Sequence, residues 1–111
     1  MNVFEVTITP QAESQLENIA HYIASELKDP DAAENLVDDI IDAVEGLSHN
    51  PEKYHPIDEE PWGSQGVSKI HIKNYYAYFG IDIENATVWI IAIVYAKRDQ
   101  KKFLSSLNNQ S

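Results

Sequence analysis

Apolar residues recur at steps of three and four along two stretches in the first half of the chain. The first stretch comprises Ala12, Leu16, Ile19, Ala20, Ile23 and Leu27, and the second comprises Ala33, Leu36, Val37, Ile40, Ile41, Val44 and Leu47. Each stretch follows a side chain that can cap a helix and then a proline, in the dipeptides Thr9-Pro10 and Asp29-Pro30. The pattern predicts two amphipathic helices. Because the segment between them is short, we expect an antiparallel hairpin.

Four other segments have the composition of β-strands. Residues 3–8, 68–73, 75–83 and 87–95 are rich in β-branched and aromatic residues. Tyr76, Tyr78 and Asp82 are expected on a solvent-facing side of the third strand, whereas residues 87–95 are apolar on both faces and indicate a central strand. Residues 50–66 contain three prolines and show neither period, which predicts a loop. Asp99 is predicted to cap a last short helix that carries Phe103, Leu104 and Leu107.

The predicted elements follow the order β-α-α-β-β-β-α within a single domain over residues 1–111. The hairpin has an apolar stripe to bury and the sheet has an apolar face to cover, so we expect an α+β fold in which the hairpin packs on a small, mainly antiparallel, twisted sheet. The far side of that sheet, as far as Arg98, is expected to stay open for another macromolecule.

Composition restricts the classes of function. The absence of cysteine excludes disulfides, thiolate zinc sites and a cysteine nucleophile. The longest apolar run has nine residues, from Val88 to Ala96, against the roughly 20 that span a membrane, and the N-terminus does not resemble a secretion signal, so we expect a cytoplasmic protein without a membrane partner. The formal net charge is -10, but residues 61–111 carry six basic and three acidic side chains. A local basic surface is therefore compatible with the acidic total.

Most catalytic signatures are missing from the sequence. The four glycines do not have nucleotide-binding spacing, and the four histidines are scattered without a metal-ligand pattern, so we expect no cofactor and no metal. What remains is a mixture of cations, aromatic rings and titratable groups: Lys69, His71 and Lys73 beside Tyr76 and Tyr78, with Tyr95, Lys97 and Arg98 at the end of the last strand. Such a mixture can hold a phosphate and stack a base. An ordinary solvated strand face has the same composition, and the sequence leaves this alternative open.

Three stretches resemble the RelE/ParE superfamily of toxins from type II toxin-antitoxin modules, a superfamily that includes plasmid stabilisation proteins. They are residues 9–23, which open with Thr9-Pro10; Asp29-Pro30 together with Leu47 to Pro51, which frame the second helix; and residues 66–99, which include Lys73-Asn74-Tyr75 and Tyr95-Ala96-Lys97-Arg98. The likeness covers nearly the whole chain. The tight hairpin and the Lys-Asn-Tyr strand entry are most similar to the ParE-type branch.

The resemblance implies a toxin that arrests bacterial growth and is neutralised by a cognate antitoxin, with a possible homodimer or toxin-antitoxin hetero-oligomer as the assembly. RelE-like members cleave mRNA on the ribosome without a metal, and ParE-like members inhibit DNA gyrase. Superfamily members often carry arginine where this chain has Ser68, Gly80 and Ala92. We therefore expect a protein target, gyrase, or alternatively an inactive relative that only binds an antitoxin.

Enzymatic activity is left open by the sequence. If the chain is an enzyme, the resemblance implies a metal-free endoribonuclease in which Lys69, Lys73 and Lys97 or Arg98 bind phosphate and His71 or Tyr95 acts as base or acid. In the gyrase interpretation, Tyr95, Lys97, Arg98 and the terminal helix form the contact surface. Trp62, Tyr54 and exposed tyrosines are predicted anchors for an antitoxin.

Overall fold

The computed structural model describes residues 3–97. Its elements are β1 (Glu5–Ile8), α1 (Pro10–Ser25), α2 (Pro30–Glu45), β2 (Ser68–Ile72), β3 (Tyr75–Asp82) and β4 (Thr87–Tyr95), with 3-10 turns at Gly46–Ser48 and Pro51–Lys53. The predicted order is confirmed as far as β4, and the two 3-10 turns are additions to it. Arg98 and the predicted terminal helix lie outside the described residues.

Both helices begin where the capping dipeptides predict. The Thr9 hydroxyl accepts a hydrogen bond from the Ala12 amide at 3.2 Å, and the Asp29 carboxylate accepts one from the Ala32 amide at 3.0 Å. Proline occupies the first turn of each helix, where its missing N–H leaves no hydrogen bond unmade. The α1 helix ends at Ser25, so Leu27 falls beyond it and is 59% exposed. The predicted burial of Leu27 in the helical stripe is therefore wrong.

The four strands form one mixed sheet in the order β1-β4-β3-β2. β1 pairs with β4 in parallel, whereas β3 pairs with both β4 and β2 in antiparallel register. The register shifts between Tyr78 and Phe79, which pair with Ala92 and Ile90, so Ile91 is the extra residue of a β-bulge. β4 is thus central, as its two apolar faces predict, and β2 lies at an edge.

The helices cover one face of the sheet, here called the helix-side face. Its core combines residues from both helices with alternate strand residues: Phe4, Ala12, Leu16, Leu36, Ile40, Val44, Leu47, Ile70, Ile72, Ala77, Phe79, Val88, Ile90 and Ile93. Ile40 and Val44 are fully buried, as the period of α2 predicts. Burial of this apolar surface holds the hairpin against the sheet.

The opposite face, here called the far face, is not open at its centre. Tyr78, Ala92 and Val94 are buried there beneath Ile57 and Val67, and Trp62 packs against the same cluster. A hydrogen bond from the Ile57 amide to the Val67 carbonyl at 2.8 Å closes the loop that supplies this cover. The predictions that Tyr78 faces solvent and that the far side stays open are therefore wrong. The covering loop contributes three apolar side chains, Ile57, Trp62 and Val67, and the strand pattern does not predict their position on this face.

Candidate functional site

The end of β4 brings a tyrosine pair to the helix-side face. Tyr75 and Tyr95 are register partners, and their ring centroids lie 5.6 Å apart in an edge-on arrangement. The pKa of Tyr75 is raised, first by burial and then by the neighbouring phenols of Tyr95 and Tyr22. Tyr75 therefore stays neutral at physiological pH and presents an aromatic wall with a polar tip.

Lys73 also lies on the side of the helices. It follows the last residue of β2 with a left-handed φ of 53°, and its Nζ atom lies 3.1 Å from Oδ2 of Asp39 on α2. The alternation of β2 would have placed Lys73 with Lys69 and His71. The turn redirects the chain at this residue, so the expectation of one face for all three side chains is wrong.

These groups line an open cleft of about 950 Å³ between the hairpin and the sheet. Its lining consists of Asn18, Ile19, Tyr22, Ile23, Leu27, Ala32, Asn35, Leu36, Asp39, Lys73, Asn74, Tyr75 and Tyr95. Tyr22 is 56% exposed and Tyr95 is 43% exposed, so two rings are accessible at the rim. Exposed apolar surface of this kind marks a binding region for a macromolecule or a peptide.

A second group of functional side chains occupies the far face near the β2 edge. The ammonium of Lys69 lies 4.2 Å from the ring centroid of Tyr76 and 6.0 Å from that of Tyr78. His71 and Tyr76 have ring centroids 5.0 Å apart. Two groups that can carry positive charge thus flank one aromatic ring, an arrangement that can attract an anion and stack a planar group.

Tyr78 closes the inner end of this group. Burial, followed by the nearby charges of Glu59 and Tyr76, raises the pKa of Tyr78 from 10.0 to about 12. A phenol with such a pKa holds its proton at physiological pH and is not suited to act as a base. Glu59 also places a negative charge beside the cluster, which opposes the approach of a phosphate.

The structure divides the predicted site residues into two groups. Lys69 and His71 lie on the far face with Tyr76, whereas Lys73 and Tyr95 lie at the cleft, on the side of the helices. Lys97 is exposed just after β4, and Arg98 falls outside the described residues. The geometry therefore does not bring His71 and Tyr95 to one reaction centre.

The cleft contains side chains that the sequence reasoning missed. Tyr22, Asp39 and Tyr75 come from three separate elements, and only the fold brings them together. Leu27, just beyond the end of α1, was expected in the buried stripe. The end of α1 at Ser25 exposes Leu27, and the apolar periodicity of the sequence does not mark that end. The predicted anchors Tyr54 and Trp62 are partly buried: the Tyr54 ring lies 5.8 Å from that of Phe79 between centroids, and Trp62 packs against the far-face core.

Neither metal-ligand geometry nor a membrane span is found in the described part of the chain. Within residues 3–97, no three His, Asp or Glu side chains converge to hold a metal ion. The two helices over the same residues lack the length and apolarity needed to cross a bilayer.

The family model for the ParE toxin of the type II toxin-antitoxin system parDE matches residues 6–100. The chain belongs to the ParE toxin family. A comparison with curated proteins gives no match. The helical hairpin, the mixed sheet and the order of elements of this ParE-family chain are thus those of a type II toxin.

Solved structures share this fold. The chromosomal ParDE system of P. aeruginosa matches with a TM-score of 0.68 and 21% identity, over 86% of this chain and 98% of that chain. The RelBE2 toxin-antitoxin complex of Mycobacterium tuberculosis matches with a TM-score of 0.58 and 21% identity, over 87% and 97%. A mutant of the E. coli toxin RelE in the free state gives 0.63 and 11%, over 96% and 97%. At these identities the likeness establishes the fold.

The structure gives a physical context to the three positions where superfamily members often carry arginine. Ser68 is 2% exposed, and Ala92 is fully buried in the far-face core of this ParE-family chain. At Gly80, by contrast, an added Cβ would meet only the Cδ1 atom of Ile91, at an ordinary contact distance of 3.7 Å. Two of the three positions are thus buried, and one has room for a side chain.

Proposed function

We propose that this protein is a growth-arresting toxin that acts on a protein target, DNA gyrase, and that a cognate antitoxin neutralises it. The proposal goes beyond family membership in naming both the target and the activity. Either gyrase or the ribosome would place the protein in the cytoplasm.

The observation that carries the proposal is the closed centre of the far face. Ala92 is fully buried in a cluster with Ile57 and Val67, so the chain's own apolar side chains cover the middle of this face. Preorganised cations supply much of the rate in metal-free phosphoryl chemistry, and loss of one such group costs about 10²-fold or more. A protein target needs no such cations.

The C-terminal end of β4 supplies the surface for a protein target. Tyr95 is 43% exposed at the cleft, and Lys97 follows it on the surface. Tyrosine and arginine are enriched among the residues that contribute most to protein interfaces, and a lysine at the rim adds electrostatic attraction for an acidic partner. The contact surface in our proposal is therefore Tyr95 and Lys97, together with Arg98 outside the described residues.

A second function, metal-free cleavage of mRNA, is favoured by one observation. Lys69 and His71 remain next to Tyr76 on the far face, where a phosphate and a base could be held side by side. The Lys73 ammonium is 3.1 Å from Asp39 and is thus already engaged, which leaves fewer cations for this chemistry than the sequence suggests.

Two assays with the purified full chain separate the targets. We expect the chain to inhibit supercoiling by purified gyrase and to leave mRNA uncut on programmed ribosomes. Tyr95→Ala and Lys97→Ala should weaken gyrase inhibition by about tenfold or more, as for anchor residues of an interface. Lys53→Ala, which removes an exposed lysine of the Pro51–Lys53 turn, is the matched control and should not change inhibition.

The ribosome assay defines the contrary result. The gyrase proposal would be contradicted if the chain cut mRNA and left gyrase unaffected. If the cuts also disappeared in Lys69→Ala and His71→Ala, the chain would be identified as an endoribonuclease. Normal growth of bacteria that express the soluble, folded chain would contradict toxicity. Calorimetry with the protein encoded by the neighbouring gene measures whether that protein binds the chain as an antitoxin. Complex formation without growth arrest would identify an inactive relative that only binds an antitoxin.

A further inference from the structure

Three tyrosine rings from separate elements line the cleft between the hairpin and the sheet. Tyr22 lies on α1, Tyr75 on β3 and Tyr95 on β4. The ring centroids of Tyr75 and Tyr95 are 5.6 Å apart, and the two ring planes are inclined at 62°. The pKa of Tyr75 is raised by burial and then by the phenols of Tyr95 and Tyr22, which indicates that the three phenols lie near one another. The cleft thus presents aromatic faces in more than one direction.

The face of a tyrosine ring carries partial negative charge and attracts a cation within about 6 Å of the centroid. This contact occurs elsewhere in the protein, since Tyr54, Tyr76 and Tyr78 each have a lysine ammonium between 4.2 and 6.0 Å from the ring centroid. Among the described residues, no lysine or arginine lies over the ring of Tyr22 or Tyr75. These two rings can therefore accept a cation that the described part of the chain does not supply.

A carboxylate in the same cleft already holds a cation. Oδ2 of Asp39 lies 3.1 Å from the Nζ atom of Lys73, and both side chains are accessible to solvent. An ion pair at such exposure is weak, so another cation can replace the lysine at low cost. A guanidinium donates two parallel hydrogen bonds to one carboxylate and stacks on aromatic faces, whereas an ammonium acts as a point charge. The combination of Asp39 with tyrosine rings therefore favours a planar guanidinium.

The charge of the protein favours a cation over an anion. Asp39 and Lys73 give the described lining of the cleft one charge of each sign. Neither helix of the hairpin contains lysine or arginine. Residues 1–60 carry fifteen acidic and two basic side chains, and the formal net charge of the chain is -10. Since the lining itself is balanced, the field of the surrounding chain selects a positive ligand.

We propose that the cleft binds a guanidinium group between its tyrosine rings and the carboxylate of Asp39, and that this ligand takes the place of Lys73 at the carboxylate. The group belongs either to an arginine side chain of a partner protein or to a free guanidino compound. The inference goes beyond the proposed function, because it holds for an active toxin and for an inactive relative alike.

Titration of the purified full chain with ethylguanidinium tests the site. Two-dimensional NMR at constant ionic strength follows the amide signals of Tyr22, Asp39 and Tyr75, and ethylurea is the neutral probe of nearly the same size and shape. We expect saturable shifts with ethylguanidinium and much smaller shifts with ethylurea. Equal shifts with both probes, or shifts that do not saturate, would overturn the proposal.

Two charge variants are expected to change the affinity in opposite directions. Asp39→Asn removes the acceptor and should weaken ethylguanidinium binding about fivefold, whereas Lys73→Met removes the resident competitor and should tighten it about threefold. Glu34→Gln is the matched control and should leave the affinity unchanged, because Glu34 is exposed on the same helix but does not line the cleft. Tighter binding in Asp39→Asn and weaker binding in Lys73→Met would identify an anion site and overturn the proposal, as would unchanged affinity in both.

The contribution of the rings has a separate readout. Tyr22→Leu should weaken binding about threefold, whereas Tyr22→Phe keeps the ring face and should retain most of the affinity. Equal affinity of Tyr22→Leu and the natural chain would overturn the placement of the guanidinium against the rings.

A third probe distinguishes the two sources of the guanidinium. The amide of acetyl-leucyl-arginyl-leucine places the group between two apolar side chains, for which Ile19, Ile23 and Leu27 offer contacts in the same cleft. Binding about tenfold tighter than that of ethylguanidinium, and weakened in Asp39→Asn, would support the site and assign it to an arginine of a partner protein. Equal affinity of the two probes would support the site for a free guanidino compound. Tripeptide binding that Asp39→Asn leaves unchanged would overturn the proposal, because apolar contacts alone would then account for it.

Discussion

The Nζ atom of Lys73 lies 3.1 Å from Oδ2 of Asp39 and joins the turn between β2 and β3 to the second helix. Both side chains remain largely accessible, at 62% and 44% exposure. An ion pair between exposed side chains contributes about 0.2–1 kcal/mol and weakens with salt. The pair therefore orients the Lys73 ammonium over the cleft more than it stabilises the fold.

We expect Asp39→Asn to lower the free energy of unfolding by less than about 1 kcal/mol, with the difference disappearing in roughly 1 M salt. Urea denaturation at low and high salt measures both effects. Asp42→Asn changes an exposed carboxylate on the same helix and should leave stability unchanged. A double-mutant cycle with Lys73→Met that gives no coupling would show that the two charges do not interact in solution.

The loop that covers the far face yields a second prediction, based on two glycines. A Cβ at Gly63 would overlap the backbone carbonyl of Ile57, whereas a Cβ at Gly46 would meet nothing within 4 Å. Gly63→Ala should therefore displace the loop and lower the free energy of unfolding by more than about 2 kcal/mol. Gly46 has a helical φ of -60°, so Gly46→Ala should stabilise the chain by about 0.4–1 kcal/mol.

Thermal and urea unfolding of the two glycine variants measure the difference directly. Tryptophan fluorescence adds a local readout, because Trp62 packs against the far-face core and should become more accessible in Gly63→Ala. Equal stability of Gly63→Ala and the natural chain would contradict the close approach of the loop to the Ile57 carbonyl.

The helices and strands could be predicted from the sequence because the local signals agree with the final packing. The Thr9-Pro10 and Asp29-Pro30 dipeptides fix both helix starts, and the alternation of Ile70 and Ile72 fixes one face of β2. Local patterns specify such features through periodicity and capping.

The candidate site could be predicted from the sequence only in part. Lys73 leaves the β2 alternation because its φ is 53°, and Tyr78 is buried because Ile57 and Val67 return across the sheet. Both effects depend on contacts between residues far apart in the chain or on turn geometry. A period-2 pattern predicts which residues share a strand face, but it does not predict what covers that face.

The raised pKa of Tyr78 gives a prediction on alkaline stability. Burial keeps this phenol neutral until about pH 12 in the folded chain, against 10.0 for an ordinary tyrosine. The stabilising contribution is thus complete below pH 10.0 and is lost as the pH rises toward about 12, because the unfolded chain releases its proton first. Tyr78→Phe removes this dependence and should reduce the alkaline loss of unfolding free energy by about 2 kcal/mol.

Urea denaturation at a series of pH values between 10.0 and about 12 measures this loss. Tyr54→Phe, which keeps the ring against Phe79 and removes a phenol that does not contribute to the raised pKa of Tyr78, is the matched control and should retain the alkaline loss. Identical alkaline profiles for Tyr78→Phe and the natural chain would mean that Tyr78 does not hold its proton through burial.

The position of Gly80 leads to the last prediction, which concerns the arginines of the superfamily. Gly80 pairs with the 43% exposed Trp89, and an added Cβ finds ordinary contact with Ile91 alone, so Gly80→Arg should change stability by no more than about 1 kcal/mol. Ala92→Arg forces a large cation into the far-face core and should cost more than about 4 kcal/mol. Thermal unfolding compares the two variants. A stable Ala92→Arg protein would contradict this prediction. It would show that the loop over the far face moves at little cost in free energy, so that a nucleic acid could bind there.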